Sequence, residues 1–138
     1  MTATVYVDGS YNQVTNVYGS GLVLFIGENP EPILYSQSGC HPIYSKSRNV
    51  AGEIFAVILA LEICKKIANF EKLTVYYDYN GIEAWYTKAW SAGSAIAKKY
   101  MSVAETVPFE VEFKKVKAHS GDFYNNTADR LAKKACGL

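Results

Sequence analysis

The chain has 138 residues, 49% apolar and 20% charged, which is enough for one hydrophobic core and too little polar excess for a disordered segment. Its formal net charge is +1, so bulk charge does not announce a nucleic-acid binder. Cysteines 40, 64 and 136 lack CxxC spacing, MTATVYVDGSY has no signal-peptide pattern and no apolar run reaches membrane-span length, so a cytoplasmic protein without membrane contact is expected.

Val5, Val7 and their neighbours alternate with period 2 and predict a first strand ending at Asp8, with Gly9-Ser10 turning into the polar stretch Tyr11 to Asn16. A second strand is predicted from Tyr18 to Ile26, closed by the turn residues Gly27-Glu28-Asn29-Pro30, and a third from Ile33 to Cys40. The short connections favour an antiparallel meander. Ile54, Val57, Ile58, Leu61 and Ala68 recur at helical spacing and predict a helix over 50–69, its stripe widened by Phe55, Leu59 and Ile63. Leu73 to Tyr77 reads as a fourth strand ending at Asp78. Gly81 to Ala89 and Ser94 to Glu105 read as two shorter helices, and Phe109 to Lys117 as a fifth strand. A polar loop from Ala118 to Asn126 carries His119, and a last helix runs from Asn126 to Cys136. The order βββαβααβα implies one domain over 1–138. It should hold a mixed five-stranded sheet, antiparallel β1-β2-β3 then parallel β4 and β5, with helices on both faces.

Four acids stand out: Asp8 and Asp78 after apolar strands, Glu53 and Asp129 near the starts of amphipathic helices. Each has an ordinary reading, as a hairpin turn, a helix-dipole partner, a helix cap or a solvated helix residue. Taken together they suggest a carboxylate cage. In open α/β sheets, sites gather outside the carboxyl ends of strands, where Asp8 and Asp78 would both emerge from adjacent parallel strands. Charge is also unevenly spread: residues 1–85 carry five Lys/Arg and eight Asp/Glu (5 − 8 = −3), residues 86–138 nine and five (9 − 5 = +4). Divalent cations bound to the acids would leave a positive surface suited to phosphate, although ordinary scatter produces the same numbers.

The ordered pieces now matter: DGS after the first strand, Gly19 and Gly21 in the second, N-x-x-x-E at Asn49 and Glu53, the strand-terminal Asp78, V-K-A-H-S-G at Val116–Gly121, and N-x-x-A-D-x-L-A at Asn126–Ala132. From Val5 to Ala135 the chain resembles type 1 ribonuclease H in its catalytic domain alone, and the wording at Asp78–Trp85 is similar to a bacterial branch. The resemblance implies an endoribonuclease that cuts the RNA strand of an RNA–DNA hybrid and leaves 5′-phosphate and 3′-hydroxyl ends. It implies that Asp8, Glu53 and Asp78 hold one Mg²⁺ and that Asp8 and Asp129 hold a second, the pair about 4 Å apart, with Mn²⁺ able to substitute. His119 would assist proton transfer or product release. Gly9, Ser10 and Asn49 would lie along the RNA strand and minor groove, Lys46 and Arg48 on a DNA-strand phosphate, and Trp90 on DNA sugars. Trp90 is equally readable as a core residue, and a lone loop histidine is usually just solvated.

Several positions depart from the family pattern. Tyr79 follows the third acid where Ser or Thr is common, Arg48 stands where Thr is common, and Tyr11 is bulky beside the first acid. Neither the lysine-rich handle nor the N-terminal hybrid-binding module of some members is expected here, which implies weak, salt-sensitive binding. No obligate protein partner is evident. The alternatives are a related nuclease of the same fold with another nucleic-acid substrate, or a catalytically silent hybrid-binding module.

Overall fold

Apolar residues on alternate strand positions give the sheet one continuous buried face, and everything else is arranged around it. The computed structural model describes residues 1–117 and 122–138. The strands are β1 (Thr2–Asn12), β2 (Val17–Ile26), β3 (Ile33–Gly39), β4 (Lys72–Tyr77) and β5 (Glu110–Lys115). The helices are α1 (Arg48–Lys65), α2 (Gly81–Tyr86), α3 (Ala95–Ala104) and α4 (Phe123–Ala135), with a 3₁₀ turn at Tyr44–Ser47. Across the sheet the order is β3-β2-β1-β4-β5. The first three strands are antiparallel, and β4 and β5 add in parallel beside β1, as the element order predicts.

One face takes Val5 and Val7 opposite Leu24 and Leu22, together with Leu73 and Val75, all fully buried or nearly so. Ile54, Val57, Ile58 and Leu61 of α1 pack onto them, and each such side chain contributes roughly 1.5–3 kcal/mol of burial. Ile82, Ile96 and Tyr100 from α2 and α3 extend this layer, and the buried Tyr100 hydroxyl donates to the Ile82 carbonyl at 2.6 Å. The opposite face of β1, β2 and β3 is covered by α4.

Both helices lie in backbone contact with the sheet. A Cβ on Gly9 would fall 2.2 Å from the Asn49 carbonyl and the Glu53 amide of α1, and one on Gly21 would fall 2.1 Å from the Ala128 carbonyl of α4. Any side chain at either position would push a helix outward, and with it Glu53 or Asp129. Gly9 was expected to mark a turn after Asp8. Instead β1 continues through Asp8–Gly21, Gly9–Ser20 and Ser10–Gly19 pairs to Asn12–Val17. The chain reverses at 13–16, where the Asn12 carboxamide accepts from the Val14 amide and Asn16 takes a φ of 61°. Small size for helix packing, not turning, is what Gly9 supplies.

Asp8 therefore does not end its strand. The parallel pairing of β1 with β4 does stop at Tyr6–Tyr76, so Asp8 and Asp78 each stand two residues beyond the last parallel pair. The helix boundaries also shift. α1 begins at Arg48 and stops at Lys65, ahead of the left-handed Asn69 (φ 57°), which places Glu53 in its second turn. α4 begins at Phe123 because the Asp122 carboxylate caps it, accepting from the Asn125 amide at 2.9 Å. Asp129 thus also lies one turn deeper than expected.

Candidate active site

Asp8, Asp78 and Asp129 line one hollow of about 170 Å³ together with Gly9, Asn49, Asn125 and Asn126. β1 carries Asp8 on the face that α4 covers, β4 delivers Asp78 at its end, and α4 points Asp129 at Asp8. Glu53 stands behind them. It is 3% exposed, and its Oε2 accepts the Asp78 amide at 2.9 Å and the Tyr79 amide at 3.4 Å. Those two bonds tie α1 to the end of β4.

The electrostatics are those of crowded acid. Burial pushes the Asp8 carboxyl up to about 7; the Gly9 N–H, donating to Oδ1 at 2.8 Å, opposes this, and Asp129 (by charge and hydrogen bond) and Asp78 push it further. Burial likewise lifts Glu53 to about 8 against the restraining Asp78 N–H, with Asp8 adding to the rise. Such a cluster calls for positive charge. Among the described residues, no three of these side chains converge on a single point as they stand. Glu53 is held on two backbone amides, and Asp129 Oδ2 is held by Lys133 Nζ at 3.0 Å. The donor chemistry itself, oxygen throughout, fits a hard divalent cation of the Mg²⁺ or Mn²⁺ type.

The hollow opens along the start of α1. Gly9 and Asn49 also line an adjoining depression of about 330 Å³ with Ser10, Tyr11 and Arg48. Tyr11 and Arg48 in turn border a larger hollow of about 700 Å³ that contains Lys46. The larger volume is lined by no carboxylate, whereas three line the smaller one. Arg48 takes φ 52° and ψ −129°, a conformation that costs a side-chain-bearing residue on the order of 1–3 kcal/mol. It turns the chain from the 3₁₀ turn into α1 and sets Arg48 and Asn49 along the groove.

Of the residues expected to contact substrate, Gly9, Asn49, Arg48 and Lys46 follow this groove, and Ser10 lines it while only 8% exposed. Trp90 lines none of these hollows. It is 43% exposed and packs edge-on against Tyr79 and Trp85 at 6.2 and 5.7 Å between ring centroids, so its reading as a core residue is set aside. His119 lies outside the described residues. Asn125 and Asn126 were not foreseen as site residues, although the N-x-x-A-D block contains Asn126; Lys133 was not foreseen either.

Comparison with known proteins finds a matching family and a shared fold. The RNase H family model matches residues 1–137. A ribonuclease H of Wolbachia is 34% identical over 106 residues, spanning 67% of this chain and 73% of that protein. One from Prosthecochloris aestuarii is 30% identical over 142 residues, spanning 95% and 92%. The fold is shared with RNase H1 of the archaeon Halobacterium salinarum at 20% identity, with a TM-score of 0.77 over 99% of this chain and 98% of that one. It is shared too with LC11-RNase H1 in complex with an RNA/DNA hybrid, at 20% identity and a TM-score of 0.74 over 98% and 96%. Among the described residues, no helix is long and apolar enough to cross a membrane.

Proposed function

The chain belongs to the ribonuclease H family, and from that premise we propose that it is an endoribonuclease hydrolysing the RNA strand of RNA–DNA hybrids to 5′-phosphate and 3′-hydroxyl ends. One observation carries the reading: acids 121 positions apart in sequence (129 − 8), from Asp8 to Asp129, line one small hollow at the head of a groove edged by Arg48 and Lys46.

In this reading Asp8, Glu53 and Asp78 hold one Mg²⁺ and Asp8 with Asp129 holds a second, with Mn²⁺ able to serve. When bound, the ions supply an activated water and charge stabilisation at the leaving 3′ oxygen. Asp8 is central, because it faces Asp129 on one side and Asp78 on the other. Glu53 keeps Oε2 on the Asp78 and Tyr79 amides, which leaves Oε1 for the ion and for the 2′-hydroxyl that marks RNA. Gly9 has no side chain to block the RNA strand, and Asn49 offers its carboxamide to the minor groove. Arg48 and Lys46 take a DNA-strand phosphate, and the exposed face of Trp90 packs on DNA sugars. The chain acts as one catalytic domain, and its three free cysteines suit the reducing cytoplasm.

Strand-labelled hybrid, duplex DNA and duplex RNA offered to the purified protein with Mg²⁺ test the assignment. Cleavage confined to the RNA of the hybrid is expected. Equal cutting of duplex DNA would favour a related nuclease of the same fold, and no cutting a silent binding module.

Two further results follow. His119→Ala should lower turnover by on the order of 10- to 100-fold, the lower range of general acid–base effects. A pH–rate profile unchanged by the substitution would remove His119 from the mechanism. With few cations along the groove, hybrid binding starts weak, so a moderate rise in salt should carry it out of the working range and activity should fall. Activity that stays flat between about 50 and 300 mM salt would contradict this.

A further inference from the structure

Among the described residues, Lys133 is the one cation paired with any of the four site carboxylates, its Nζ 3.0 Å from Asp129 Oδ2. The two residues are one turn apart on α4, in the favourable order of acid before base. A pair like this on a helix surface is ordinarily a minor stabiliser and nothing more. Here the acid also lies beside Asp8 and lines the hollow, so the ammonium is held by a residue of the proposed metal position. Asp129 is paired with Lys133 and Glu53 with two amides, and among the described residues no three of the carboxylates converge.

We propose that Lys133 is a positioning residue, a resident counter-ion that competes with divalent metal for Asp129 and so sets the affinity of the position Asp129 serves. This rests on the carboxylate-cage reading above. Lys133 is 52% exposed and Asp129 34%, so their pair is a weak latch that a dication can open. Opening it costs the lost pair, and the displaced ammonium, still tethered on the same helix, then repels the incoming ion. Removing the charge should tighten binding there by roughly five- to tenfold, less at high salt where the repulsion is screened.

Mn²⁺ binding, followed by electron paramagnetic resonance on the intact chain, tests this without reference to turnover. Wild type should bind two ions. Lys133→Met, which keeps the length of the side chain, should tighten one of them, while Lys133→Arg should stay within about twofold of wild type. In an Asp129→Asn background, Lys133→Met should tighten binding far less, because the pair is gone and only the ammonium's repulsion remains. An unchanged affinity in Lys133→Met, or equal tightening with and without Asp129, overturns the proposal while leaving the cage reading intact. A wild-type protein that binds no Mn²⁺ overturns both.

Discussion

Replacing Asp8 with asparagine should reduce Mg²⁺-dependent cleavage by more than about a thousandfold, a loss of several kcal/mol of transition-state stabilisation. The substitution is close to isosteric. Its carboxamide oxygen still accepts from the Gly9 N–H, and the packing of α1 and α4 through Gly9 and Gly21 is untouched. What disappears is one negative charge and one ionic ligand at the point where Asp78 and Asp129 meet. Asp78→Asn should act in the same way. Binding of the hybrid should survive in both, since a polyanion gains when a carboxylate is removed. Single-turnover cleavage beside equilibrium hybrid binding measures the two effects separately, and near-wild-type turnover in either variant would refute the roles given to these acids.

Glu53→Gln should abolish cleavage and at the same time stabilise the metal-free protein at alkaline pH. The buried Glu53 carboxyl is raised to about 8, first by burial and then by its acidic neighbours, against the pull of the Asp78 amide. A carboxyl raised on folding binds protons more tightly in the folded state. Its contribution to stability is therefore complete below the ordinary carboxylate range and is lost as pH rises through about 8. Asp8, raised to about 7, acts in the same direction. In EDTA, wild-type stability should fall between about pH 5 and 9 by a few kcal/mol. Glutamine keeps an acceptor for the Asp78 amide but carries no charge. The variant should follow a flatter curve and melt roughly 5–10 °C higher at the alkaline end, with the remaining slope belonging to Asp8. Parallel curves for the two proteins would contradict this account of the site. Metal binding must expel the same protons, so metal affinity should rise over the same pH window.

Alternation and helical spacing made the strands, the major helices and the mixed sheet legible, because each needs one apolar face whatever the rest of the chain does. Boundaries depended on less local information. Gly9 looks the same in sequence whether it turns a chain or admits a helix backbone at van der Waals limits; only the opposing α1 decides. The cap that begins α4 at Phe123 depends on Asp122, an acid with nothing in its neighbourhood to mark it. The four acids were visible through the strand ends and helix starts that the sequence pattern predicted for them, although the structure moves three of them off those boundaries. That Glu53 would spend an oxygen on the end of β4, and that Lys133 would reach back to Asp129, were not, because a charge on a helix is ordinary until the facing element is known. Trp90 was ambiguous for the same reason: its neighbours Tyr79 and Trp85 cover one edge and leave the rest open.

Anomalous diffraction from crystals grown with Mn²⁺ and an uncleavable hybrid tests the shared-carboxylate centre most directly. Two manganese peaks are expected, both in contact with Asp8, one also bound by Glu53 and Asp78 and the other by Asp129. A single peak, or manganese bound away from Asp8, would contradict it.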